Sequence, residues 1–414
     1  MYVSDDAVTD APVSTSRLSA FSPLRHRNFR LLWTGLVISN TGTWMQFVAL
    51  GYLVDRLTQS PLYLGFLAAT QAVPRLTFAL VGGAAADRID RRRLLLITNV
   101  VLMATALMLG LLTVTGRIQI WQILLIAAIN SLVQSFDMPA RHSMVPSLVE
   151  EREVLGAVSL NSVAFNGAGI FGPSIGGVVI AAVGEAGCFF VNAATYLSTI
   201  SALLMMQVPR IEALGRARLA EDLKEGINLL RQHRSLLLFL ATVAALSFFG
   251  RPYIRMMPAF AREVLHVDAR GLGLLQSAPG IGTVCSALLV GWLSYGRGKG
   301  AVLGGAMLTF GFAVMLFGIT RSFAFALPIL VVMGLTQTLA LASANTLVQL
   351  TTPPHARGRV MGLYSMVAFG GFAVGSLPVG AVADVIGVGP ALSLGGMFVV
   401  LIALFVMPRL RGID

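Results

Sequence analysis

Three arginines stand inside otherwise apolar stretches of the chain: Arg75, Arg251 and Arg255. A guanidinium keeps its charge near neutral pH and offers five N–H donors, so in apolar surroundings each one calls for an anion or a set of acceptors. Arg75 follows Gln71 by one helical turn. Arg251 and Arg255 follow Ser247 at i+4 and i+8, with Pro252 between them to bend the helix. Together they would hold an anionic or strongly hydrogen-bonding ligand, or neutralise carboxylates elsewhere. Snorkelling of the long side chain to an interface is the plainer use, and it fits Arg255 best and Arg75 worst.

A second constellation centres on Asp137, which shares a helical face with Asn130, Gln134 and Arg141. A buried carboxylate can exchange its proton when its surroundings change, and Asp137 is the acid best placed for that task. An ion pair with Arg141 explains the same spacing. Asn40, Thr43, Trp44 and Phe47 follow i, i+3, i+4, i+7 spacing and make a polar and aromatic face suited to amphipathic compounds, to which Thr338 and Asn345 add. A third cluster, Gly83, Asp87, Arg88, Asp90, Arg91, Arg92 and Arg93, packs charge into a short loop. Its carboxylate can pair with cations or with the positive end of a neighbouring helix, as a latch would.

The elements that must carry these groups are membrane-spanning helices. Hydrophobic residues make up 56% of the 414 and charged residues 12%, against about 25% charged in soluble proteins. Mean hydropathy is +0.79. Apolar runs long enough to cross a bilayer as helices fall at 29–54, 62–86, 94–115, 118–137, 155–183, 186–208, 235–257, 271–295, 301–319, 323–350, 360–386 and 388–408. The net charge of +11 is not a nucleic-acid footprint, because alternate loops hold it. With the N-terminus in the cytoplasm, 22 of the 30 Lys and Arg lie inside and five outside: Arg56, Arg117, Arg262, Arg270 and Arg321. That asymmetry puts both termini in the cytoplasm and requires an even number of spans.

The chain reads as a duplication. The charged loop returns, faded, from Gly291 to Lys299, displaced by 208 positions, and the stripe Asn130, Gln134, Asp137, Arg141 answers to Thr338, Ala342, Asn345, Gln349. The expected organisation is a disordered cytoplasmic tail over 1–27, a six-helix bundle over 28–208, a cytoplasmic linker with an amphipathic helix over 209–234, a second six-helix bundle over 235–408, and a short tail over 409–414. Leu219, Leu223, Ile227 and Leu230 supply the linker's apolar face. Residues 1–20 lack the apolar core of a signal peptide. Cys188 and Cys285 are isolated within apolar spans and read as small hydrophobes. His26, His142, His233, His266 and His355 read as tail or loop residues. No Walker-type phosphate loop and no His-Glu-x-x-His pattern occurs, which argues against an enzyme and against ATP-driven work by this chain.

The loop after span two resembles the signature loop of the major facilitator superfamily of secondary transporters, with Asp90 where that family usually has Gly. Four further stretches resemble its branch of enterobactin-exporter-like and macrolide-efflux-like bacterial proteins: Gly42 to Gln46, Leu57 to Pro61, Asp137 to Arg141, and Arg357 to Met361. Gly172, Pro173, Gly176 and Gly177 are similar to a Gly-Pro element associated with exporters, and their small residues admit a bend and a close neighbour. The resemblance implies an all-α membrane protein of twelve transmembrane helices in two pseudo-symmetric six-helix bundles, in a bacterial cytoplasmic membrane. It implies export of amphipathic organic molecules, such as drugs, siderophores or secondary metabolites, by alternating access and proton antiport. Its loop, here Gly83, Asp87, Arg88, Arg91 and Arg92, would close the cytoplasmic side against the start of span eleven near Arg357. The cavity would be lined by Asn40, Thr43, Trp44, Arg75, Asn130, Gln134, Arg251, Thr338 and Asn345, with Asp137 coupling to protons. Many proton-coupled exporters of the superfamily carry an Arg in mid-span four, and this chain has none between Arg117 and Arg141. The expected partners are a small-molecule substrate, protons and the lipid bilayer, without nucleic acid, metal or cofactor, and the chain is expected to act as a monomer. An importer or lysolipid flippase of the same fold, and a non-transporting receptor or assembly factor, are the alternatives.

Overall fold

A computed structural model describes residues 21–88, 90–206, 233–293, 298–353 and 356–410, with 79–88, 290–293 and 410 described by their backbone alone. Among the described residues every regular element is a helix, as a chain dissolved in hydrocarbon requires, since a helix satisfies its backbone N–H and C=O groups within itself. The first four are α1 (Arg27–Thr58), α2 (Pro61–Arg88), α3 (Arg91–Val114) and α4 (Ile120–Met144). The run Val154–Met205 is broken at Gly184, whose φ of 76° and ψ of 178° only glycine adopts readily, into α5 (154–183) and α6 (185–205).

The second half holds α7 (Arg234–Glu263), α8 (Ala269–Leu293), α9 (Lys299–Ile319), α10 (Phe323–Thr351), α11 (Arg357–Ile386) and α12 (Val388–Leu410). Both α7 and α11 contain a π-helical turn, at Leu246–Gly250 and Met366–Gly370. With the break at Gly184 counted, the described helices number twelve, in the register expected from the apolar runs. Among the described residues nine helical runs are long and apolar enough to cross a membrane, Glu151–Met205 counting as one. Leu111, Val183, Leu288, Phe325, Val385 and Phe405 are exposed on the outer surface, where lipid would cover them.

Two stretches differ in kind from their sequence reading. Residues 22–25, read as the end of a tail, form a 3-10 turn with Ser22 and Pro23 buried, and His26 then bonds Glu153. His142 lies in the last turn of α4, inside a helix and not in a loop. The linker helix expected over 209–234 lies outside the described residues except for His233 and Arg234, the latter opening α7.

The halves meet along two pairs of helices, α2 with α11 and α5 with α8. A six-helix repeat makes these pairs equivalent, since α2 corresponds to α8 and α5 to α11. Glycines set the approach. A Cβ on Gly177 would sit 2.5 Å from the Ala269 carbonyl oxygen, and one on Gly65 would sit 2.8 Å from that of Ser376. Both contacts lie toward the end of the molecule opposite the chain termini, here called the far end.

Candidate functional site

Four residue pairs join the halves by polar bonds between midplane and far end. Arg262 on α7 donates to both oxygens of Asp55 on α1, at 2.7 and 3.0 Å. Ser60 donates to Asp384, the Ser174 and Ser277 hydroxyls lie 2.7 Å apart, and Arg255 donates to the side-chain oxygen of Gln71. Toward the terminal end, a Cβ on Gly167 of α5, or on Gly358 or Gly362 of α11, would meet nothing within 4 Å among the described residues. The described structure is therefore sealed at the far end.

Beneath the seal lies a cavity of about 620 Å³ between the halves. Trp44, Phe47 and Phe165 face it from the first half, with Trp44 ring centroids 5.5 Å from Phe47 and 6.0 Å from Phe165. Arg251, Tyr253, Gln276, Gln337, Thr338 and Asn345 face it from the second. The π-turn in α11 has a use here: Arg251 donates to the carbonyl oxygen of Ala368 within that turn, at 2.9 Å, where the widened helix leaves backbone acceptors free. Pro252 follows the π-turn of α7 and stands at the N-terminal cap of its next segment, Tyr253–Glu263.

A second cavity of about 230 Å³ lies within the first half and is lined by Asn40, Thr43, Gln134, Asp137, Arg141 and His142, among others. Phe165 and Asn166 line both cavities. Asp137 is only 2% exposed. Its carboxylate accepts from Thr98 at 2.8 Å, from Asn99 at 3.1 Å and from Arg141, which also donates to Asn40 at 3.3 Å. Asp137 thus lines the smaller cavity and is ion-paired with Arg141.

Two residues expected at the cavity are engaged by side chains of neighbouring helices. Asn130 accepts from Thr105 on α3 at 2.6 Å, and Arg75 donates to Gln134 at 2.8 Å; neither lines either of these two cavities. Arg255 does not snorkel to an interface. Its guanidinium lies 4.5 Å above the Phe47 ring and 5.9 Å from Phe372, held inward by Gln71. The smaller cavity draws Asn40, Thr43, Gln134 and Asp137 together, and the larger one Trp44, Arg251, Thr338 and Asn345.

Around the charged loop, Gly83, Asp87 and Arg88 end α2, and their side chains lie outside the described residues. Arg91 donates to the Ser143 carbonyl, and Arg92 to those of Leu203 and Leu204. These cations cap the C-terminal ends of α4 and α6, whose last carbonyls lack helical partners. Asp90 caps α3, accepting from the backbone N–H of Arg93 at 2.9 Å. In the Gly-Pro element, a Cβ on Gly172 would come within 2.5 Å of that of Trp44, and one on Gly176 within 3.1 Å of the Met45 Cα. Gly172 and Gly176 thus admit α1, Gly177 admits α8, and Pro173 lies within α5 without ending it.

Sequence reasoning missed the Asp55–Arg262 pair. The repeat offered a signal, because position 55 answers to Glu263 under the displacement of 208, next to Arg262. It also passed over Tyr196 and Asn166 and read His142 as a loop residue, although all three line a cavity.

Two six-helix halves related by a repeat, with a cavity between them sealed at one end, are the build of a major facilitator transporter. The chain belongs to the transmembrane secretion effector family, MFS_3, whose profile matches residues 18–413. It is 25% identical to the multidrug efflux pump Tap of Mycolicibacterium fortuitum over 93% of this chain and 96% of that one. With the staphyloferrin A transporter of Staphylococcus aureus (strain NCTC 8325 / PS 47) the identity is 24%, over 88% and 91%. Among solved structures, a bacterial homologue of the human lysosomal transporter Spinster, inward-facing and unoccupied, shares the fold at a TM-score of 0.73. It is 14% identical, and the match covers 93% of this chain and 97% of that one.

Proposed function

We propose that this transporter exports amphipathic organic small molecules from the bacterial cytoplasm by alternating access. The observation that carries the reading is the far-end seal above the 620 Å³ cavity, whose walls run toward the terminal end past Asn345 and Tyr364. The excess of Lys and Arg in the loops at that end makes it the cytoplasmic one under the positive-inside rule, with both termini inside and the chain in the cytoplasmic membrane. A compound would enter from the cytoplasm, and rocking of the halves, 28–208 and 235–408, would expose it to the other side. The relatives named for drug efflux and siderophore transport support the substrate class.

Within this reading Asp137 carries the coupling proton, and the loop of Gly83, Asp87, Arg88, Arg91 and Arg92 latches the cytoplasmic side when the far end opens. Gly172, Pro173, Gly176 and Gly177 form the hinge surface between α1 and α8. The chain acts as a monomer. The test is accumulation of a varied panel of amphipathic antibiotics and siderophores in efflux-deficient bacteria, with and without the protein, before and after an uncoupler. Lowered accumulation that the uncoupler abolishes is the expected result. An inserted protein that changes nothing across the panel, or that raises accumulation, overturns export.

A further inference from the structure

Arg251 borders the larger cavity and, among the described residues, has no carboxylate paired with it. One of its five N–H donors is engaged by Ala368, its Nε has no partner, and its guanidinium lies 5.0 Å above the ring of Phe372. None of the described residues lining that cavity is acidic. The acid of the neighbouring cavity, Asp137, is taken up by Thr98, Asn99 and Arg141. Arg255 adds a second positive charge behind Phe47.

The rest of that wall points the same way. The Tyr253 hydroxyl is fully buried and without a partner, and the side-chain oxygens of Gln276 and Gln337 are buried and unpaired. Buried polar groups left without a partner cost free energy until something that can pair with them arrives. A hydroxyl can donate, and an amide can turn its NH2 toward an acceptor. The opposite wall is aromatic, made of Trp44, Phe47 and Phe165.

We infer that the larger cavity selects amphipathic organic anions over cations. The anionic head, a carboxylate, sulfonate or phenolate, is met by Arg251 with the amides of Gln276 and Gln337, and the aromatic body packs on Trp44, Phe47 and Phe165. Aromatic faces attract cations too, but the Phe47 and Phe372 faces are already covered by the protein's own guanidinium groups. A bound cation would face that positive charge with no acid to offset it, in a setting where charges interact more strongly than in water. The inference rests on reading this cavity as the site of the transported compound.

The experiment compares three dyes on the full-length protein in lipid nanodiscs, with empty nanodiscs subtracted: anilinonaphthalene sulfonate, its uncharged parent phenylnaphthylamine, and the cation ethidium. The sulfonate is expected to bind about tenfold more tightly than ethidium. Arg251→Gln should weaken the sulfonate by about tenfold and the parent by much less, and Arg251→Lys should retain most of the preference. Equal binding of sulfonate and ethidium by the unmodified protein overturns the inference, and that comparison needs no variant to fold. So does an equal loss of sulfonate and parent in Arg251→Gln, which would make the arginine structural. Accumulation of the same dyes in efflux-deficient cells separates the two readings: failure to pump any of them counts against export, while binding still decides the charge preference.

Discussion

Asp55 and Arg262 close the far end from opposite halves of the molecule, joined by two hydrogen bonds of 2.7 and 3.0 Å. The carboxylate is almost wholly buried and the guanidinium about one-third exposed, at 5% and 33%. Arg262 also donates to Glu263 at 2.9 Å, on its own helix. The pair joins α1 to α7, the first helix of each half, so the halves cannot separate at this end while it holds. Its geometry is two-pronged, which fixes orientation as well as distance.

Asp55→Asn should therefore favour the far-open state. Loss of a charge-assisted contact of this kind costs about 1.5–3 kcal/mol, less some screening at the exposed arginine, and so shifts the balance of states roughly tenfold. Spin labels on cysteines replacing Arg117 and Arg321, at exposed far-end positions of the two halves, with Cys188 and Cys285 removed, would read the separation. A longer distance should gain population in the variant, and the exchange Asp55→Arg with Arg262→Asp should reverse part of the shift. An unchanged distribution would remove the pair from the seal.

Two glycines of α5 should respond oppositely to a side chain. Gly177 has no room, with Ala269 oxygen 2.5 Å from where its Cβ would lie, whereas Gly167 faces open space. Gly177→Val should keep the halves apart at the far end and abolish transport at normal protein levels. Gly167→Ala should be tolerated, or raise stability by up to about 1 kcal/mol through helix propensity. Transport measured at matched expression, with thermal unfolding of both variants, checks the pair; normal transport by Gly177→Val would show that α5 and α8 need not meet.

The helices were legible in the sequence because lipid leaves a chain little choice: a long apolar run must be a helix, and the charge of its loops must alternate. The break at Gly184 was also placed closely, between runs ending at 183 and starting at 186. The facing of polar side chains was harder to read. Asn130 and Asp137 lie seven residues apart on one face, yet Asn130 turns to Thr105 and Asp137 to Thr98 and Arg141. Helical spacing cannot tell a cavity from a helix seam when both want polar groups. Arg255 misled because its partner Gln71 stands 184 positions away in the other half, a contact set by tertiary packing alone.

Asp87 and Asp90, three residues apart, should separate by what they lose. Asp90 caps α3, and removal of such a cap costs about 1 kcal/mol, so Asp90→Ala should lower the unfolding temperature slightly and leave efflux near normal. Asp87→Asn should leave insertion and stability intact while impairing efflux. Parallel thermal unfolding and efflux measurements decide; a stable Asp87→Asn protein with full efflux would remove the latch from the mechanism.

Asp137 poses a harder test, because it is both a proposed proton carrier and the partner of Arg141. Removing one member of a buried pair leaves the other charge uncompensated, at a cost of about 3–5 kcal/mol, whereas replacing both is often nearly neutral. Asp137→Asn alone should therefore lose stability and proton-driven export together, which cannot distinguish the roles. The double variant Asp137→Asn with Arg141→Gln should regain most of the stability. If Asp137 carries the proton, that double variant will let substrate run down its own gradient in proteoliposomes but will not drive it uphill with an imposed pH gradient. Uphill transport by the double variant would leave the pair a structural one and put the coupling proton on another group.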